Sequence, residues 1–104
     1  MIEKLEGIEE RFAAINEQLC DPTVVSDQAL YASLMKEAKH LTPIVETFSA
    51  YKKTKSANEE ARELLNESGT DRELRQMAQE EFDETAERLE ALHEELKILL
   101  LPRD

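Results

Sequence analysis

Residues 70–99 read TDRELRQMAQEEFDETAERLEALHEELKIL, and their spacing decides the fold. Leu74, Ala78, Phe82, Thr85, Leu89, Leu92, Leu96 and Leu99 recur at steps of three and four. That period lays side chain upon side chain along one stripe of an α-helix. The stretch opens on Thr70-Asp71-Arg72-Glu73, a Thr-x-x-Glu capping box in which each side chain is expected to bond to the other's backbone amide. Gly69 stands directly before it as the expected left-handed stop of a preceding helix. Pro102 closes the segment. About thirty residues at roughly 1.5 Å each give ~45 Å, longer than a small bundle needs, so the far end is expected to project or dock elsewhere.

Working outward, three further segments show the same period. Leu5, Ile8, Phe12, Ile15 and Leu19 form one stripe, with Glu3, Glu6, Glu9, Glu10 and Glu17 off it, and Asp21-Pro22 ends that helix. Gly7 weakens it by ~1 kcal/mol relative to Ala. A second helix is expected from Ser26, its hydroxyl as the cap and Val25 stapled onto Leu30. Leu30, Leu34, Ala38 and Leu41 form its stripe, widened by Tyr31 and Met35. Thr42-Pro43 then restarts the chain as cap and first helical residue, or else marks a bend in one long helix. Ile44, Val45, Phe48 and Tyr51 follow, and beyond them the stripe thins to Ala57 and Ala61 before Leu64 and Leu65. This third segment is expected to be the least securely packed. Short connections between amphipathic helices make neighbours antiparallel. The expected architecture is all-α, a single domain over residues 1–104: an elongated, antiparallel, up-and-down bundle of three to four helices.

Composition narrows the function. The chain has 104 residues, 13 Lys+Arg against 24 Asp+Glu for a net charge of −11, two glycines, one cysteine and no Trp. Two isolated glycines cannot punctuate an all-β fold or build a phosphate-binding loop. One cysteine excludes an internal disulfide framework and a multi-thiolate metal site, and it fits a reducing compartment. Ile98–Leu101 is the longest apolar run, far short of a membrane span, and the acidic amphipathic amino terminus is unlike a targeting peptide. The charge opposes broad contact with phosphate backbones and favours a basic protein surface. These features together predict a cytoplasmic helical domain.

Candidate chemistry is sparse. Glu-x-x-His occurs twice, at Glu37/His40 and Glu90/His93, the spacing that holds a metal pair in ferritin-like bundles. At about 100° per residue, however, His40 lies well off the Leu34/Ala38 stripe and Glu90 points away from Leu92/Leu96, so both motifs read as solvated or flanking. Cys20 has no base nearby in sequence and reads as a small, partly buried thiol. Glu80-Glu81 and Glu94-Glu95 read as solvated helix faces, and Lys52-Lys53-x-Lys55 as charges balancing neighbouring Glu. No residue is assigned a catalytic, cofactor-binding or metal-ligating role.

Three strings go further than periodicity. Leu19-x-Asp21-Pro22-x-Val24-Val25-x-Asp27 resembles the opening region of bacterial class I peptide chain release factors. Met77-Ala78-Gln79-Glu80-Glu81 resembles the start of the last amino-terminal helix in that family. Leu99-Leu100-Leu101-Pro102-Arg103-Asp104 resembles the sequence that ends this region in the branch reading UAA and UAG. Order and spacing match along essentially the whole chain. The resemblance implies a ribosome-docking amino-terminal domain of a translation termination factor, with no activity of its own. It implies partners in the GTPase-associated region of the large subunit, near the stalk-base protein, a link to the class II release factor GTPase, and little direct nucleic-acid contact. The family's Gly-Gly-Gln loop and Pro-x-Thr codon-reading tripeptide lie downstream. Gly7 and Gly69 are not adjacent, and Pro22-Thr23 lacks the tripeptide's spacing, so the chain looks like an isolated amino-terminal domain. A standalone acidic coiled-coil adaptor is the alternative, and a di-metal carboxylate enzyme ranks third.

Overall fold

The structure, a computed structural model, describes residues 1–67 and 69–102. Four helices follow in order: α1 (Ile2–Gln18), α2 (Pro22–Val25), α3 (Gln28–Asn66) and α4 (Arg72–Leu99). No strand occurs among the described residues, and the fold is all-α as the periodicity predicts. The chain divides into two compact units, Met1–Glu46 and Thr47–Asp104. The boundary falls inside α3.

In the first unit α1 runs antiparallel to the first part of α3, and the ion pair between Arg11 and Glu37 fixes the register. Leu5, Ile15, Leu34, Leu41 and Ile44 are buried, joined by Val24 from α2. Ile8, Phe12 and Leu19 of the expected stripe are only half-buried. The turn between α1 and α3 differs from the expectation. Asp21-Pro22 does more than end a helix: Pro22 is the first residue of α2, and Asp21 Oδ1 accepts from Thr23 N at 2.9 Å and Thr23 Oγ1 at 2.8 Å. Pro with a carboxylate cap starts a helix because its missing N–H is one of the unsatisfied donors anyway. Ser26 is not the cap of α3. Its hydroxyl donates to Thr23 O, and Asp27 Oδ1 accepts from Leu30 N at 3.1 Å. Val25 and Leu30 are both exposed.

The second and third expected helices are one helix, with Pro43 inside it. Pro removes the bond from position 43 to the Lys39 carbonyl, a cost of ~3 kcal/mol in a helix interior. Leu34, Leu41, Ile44 and Phe48 nevertheless keep helical spacing across it and are all buried, at ~1.5–3 kcal/mol each. Continuing the helix therefore wins. Pro43 and Lys39 lie on the exposed side, where water can reach the freed carbonyl. Thr42 does not cap a new helix, since its hydroxyl donates back to Ala38 O at 2.7 Å.

In the second unit the rest of α3 runs antiparallel to α4. Asn58 Nδ2 donates to Phe82 O at 3.2 Å and Thr85 Oγ1 at 3.0 Å, and Thr85 Oγ1 donates to Glu81 O at 2.7 Å. This places Tyr51 opposite Leu92, Ala61 opposite Phe82, and Leu65 opposite Ala78. Phe48, Ala61, Ala78, Leu92 and Leu96 are buried. The thin stripe at Ala57 and Ala61 is thus no gap. Small side chains let the α4 backbone come close enough for the Asn58 amide to bond a main-chain carbonyl.

Gly69 is left-handed as expected, with φ 81°. The capping box is not formed: Asp71 precedes α4 without a side-chain cap bond. Thr70 Oγ1 instead donates to Glu67 O at 3.0 Å, satisfying a carbonyl at the end of α3. The helix ends at Leu99, with Leu100 N bonded to Leu96 O.

Two stability predictions follow from the packing. An added Cβ at Gly7 meets nothing within 4 Å, so Gly7→Ala is expected to stabilise the chain by about 0.5–1 kcal/mol, measured as a raised Tm. Asn58→Ala removes the amide that spans α3 and α4, and chemical denaturation is expected to show a loss of ~1–2 kcal/mol.

Candidate docking surfaces

The ionisable groups are arranged for contact with solvent or a partner. Arg11 holds Glu37 through two bonds, Nε to Oε2 at 2.7 Å and Nη2 to Oε1 at 2.8 Å. The guanidinium's hydrogen bond holds the Glu37 carboxyl below the usual range, helped by the charges of Arg11 and His40, and the same bond raises Arg11. The first Glu-x-x-His motif therefore has its carboxylate in a planar two-point ion pair. In the second motif Glu90 and His93 are exposed, with His93 Nδ1 3.9 Å from Glu94 Oε1, too long for a hydrogen bond. Among the described residues no group of three or more His, Cys, Asp or Glu is placed to hold a metal ion.

Cys20 is exposed rather than partly buried, because it lies one residue past the α1 stripe, where the chain turns toward α2. Asp21 beside it is held below the usual carboxylate range by the hydroxyl and amide of Thr23. In the lysine cluster, Lys52 Nζ stands 4.6 Å from the centre of the Phe48 ring, a cation–π contact. Lys53 lines a shallow groove with Glu81, Glu84 and Arg88. Lys53 thus shares a groove with acidic side chains of α4.

Two surfaces stand out. Along α4, Glu80, Glu81, Asp83, Glu84, Glu87 and Glu90 are all exposed, and Arg88 is the sole cation in that stretch of sequence. Burial would penalise so many carboxylates, so the face is either solvated or matched by a basic partner. In the first unit, a groove between α1 and α3 is lined by Phe12, Leu19, Met35 and Ala38, with Lys36 and Lys39 also on its walls. Sequence reading assigned Phe12, Leu19 and Met35 to core stripes and missed this groove. The signal available was the width of the α3 stripe, which spreads over more of the helix than α1 alone can cover.

Residues 8–104 match the PCRF domain family, and the chain belongs to it. Over all 104 residues it is 45% identical to Peptide chain release factor 1 of Syntrophus aciditrophicus. It is likewise 45% identical to that of Lachnoclostridium phytofermentans and 39% identical to that of Alkaliphilus oremlandii. The chain spans 29% of the length of each of these relatives. No solved structure matches the chain. Of the three strings that carried the resemblance, Arg103 and Asp104 at the end of the last lie outside the described residues. No helix among the described residues is long and apolar enough to cross a membrane.

The Arg11–Glu37 pair gives a pH prediction. A carboxyl held low in the folded chain contributes stability above its unfolded-state value and loses it as pH falls through the folded value. Glu37→Gln is expected to lower Tm modestly near neutral pH, and the difference from the parent chain should shrink as pH falls below the usual carboxylate range. Because both side chains are exposed, added salt should shrink the effect.

Proposed function

We propose that residues 1–104 act as one ribosome-docking amino-terminal domain of a release factor that ends translation at UAA and UAG. The observation that carries this reading is the match of all 104 residues to proteins named Peptide chain release factor 1. The domain has no hydrolytic activity of its own. Codon reading and peptidyl-tRNA hydrolysis belong to the Pro-x-Thr and Gly-Gly-Gln loops of the remaining protein, and no catalytic, cofactor-binding or metal-ligating residue is assigned here.

In this reading the domain works in the cytoplasm. The exposed carboxylates of α4 meet a basic protein surface, the stalk-base protein in the GTPase-associated region of the large subunit. Contact with that region links termination to the class II release factor GTPase. The charge of −11 supports a protein partner over bare rRNA, because phosphate backbones repel the same carboxylates.

The test uses ribosomes halted at a UAA codon with a labelled peptide still attached. The purified chain should sediment with them and release no peptide. Replacing Glu80 and Glu87 by Lys should weaken co-sedimentation severalfold at low salt, and the gap should close as salt screens the face. Peptide release by the chain alone, or binding indifferent to those two charges, overturns the reading.

A further inference from the structure

We propose that the groove between α1 and the first part of α3 is a docking site for an acidic amphipathic helix from a partner protein, a surface separate from the acidic face of α4. Its floor is apolar and open: Phe12 and Leu19 are half-buried, and Met35 is 46% exposed. Two parallel ridges with an apolar channel between them match a helix that presents anchors at i, i+3, i+4 and i+7. Met adapts its unbranched chain to whatever shape enters.

Charge selects the occupant. The groove's charged lining consists of Lys36 and Lys39 alone, one helical turn apart, so both ammonium groups stand along the same wall. Neither makes an ion pair among the described residues. Glu37, the carboxylate between them in sequence, is taken by Nε and Nη2 of Arg11 and offers them little compensation. A basic segment would meet two uncompensated cations, and a nucleic acid would leave the apolar floor uncovered. A helix carrying Leu or Phe on one side and Glu beside it satisfies both features. The net charge of −11 does not prevent this, because at physiological ionic strength charges more than ~8 Å apart are largely screened.

The experiment is a titration of the isotope-labelled chain, followed by NMR, with a synthetic amphipathic helix of about fifteen residues that carries Leu anchors flanked by Glu. A second peptide keeps the Leu positions and replaces every Glu by Lys. Saturable shifts confined to Phe12, Leu19, Met35, Lys36 and Lys39 are expected with the acidic peptide only. The double variant Lys36→Glu/Lys39→Glu should weaken binding about tenfold or more, and Lys36→Gln/Lys39→Gln by less. Circular dichroism checks that both variants remain helical. No binding by the acidic peptide, equal binding by the basic one, or shifts located elsewhere overturns the proposal. So does a concentration-dependent mass abolished by the Lys36→Glu/Lys39→Glu variant, which would assign the groove to a second copy of the chain. Failure of the ribosome assay leaves this titration unaffected.

Discussion

Everything in this chain hangs on the apolar stripe that α3 carries unbroken past Pro43. Leu34, Leu41, Ile44 and Phe48 keep helical spacing on either side of a residue that removes a backbone bond, and burying them outweighs the loss of that bond. Because α3 continues, one helix supplies the partner surface for α1 in the first unit and for α4 in the second. Were the chain to break at Thr42-Pro43, each half of α3 would need its own nucleus and its own caps. The single helix needs one start, at Asp27, and one stop, at Gly69.

Polar groups then set the details that apolar stripes leave free. A stripe of Leu and Ala tolerates sliding by a helical turn, but a bond does not. Arg11 to Glu37 pins α1 against α3, and Asn58 to Thr85 and the Phe82 carbonyl pins α3 against α4. The second pin lies in the seam. Thr85, 8% exposed, donates its own hydroxyl to Glu81 O, and no polar side-chain atom buried among the described residues lacks a partner. That closure matters because an unpaired buried amide or hydroxyl costs more than a formed bond contributes.

Charge is distributed by the same logic of exposure. The α4 carboxylates crowd onto the side away from Leu92 and Leu96, where water screens their repulsion. Their density suits contact with water or with a basic surface. The first unit offers the complement, an apolar groove whose charged lining is cationic.

Much of this was legible in the residues. The 3.6 period gave α1 and α4 and the buried positions Leu5, Ile15, Leu34, Ala78, Leu92 and Leu96, because period reports which face of a helix leaves water whatever covers it. Gly69 was legible too, since few residues other than Gly accept a positive φ. Local cap signals failed where two readings competed for one motif. Asp21-Pro22 and Thr42-Pro43 are both a capping side chain before Pro, yet the first opens α2 and the second lies inside α3. Likewise Thr70 served the helix behind it, and Asp27 displaced Ser26. A cap donor has several backbone groups within reach, and the final packing decides which it meets. The sequence by itself thus determined α1, α4, their apolar faces and the family. Only the tertiary structure decided that Pro43 is spanned, that Asn58 reaches α4, and that Phe12, Leu19 and Met35 border a groove, because each depends on how closely a second helix approaches, a distance no local spacing encodes.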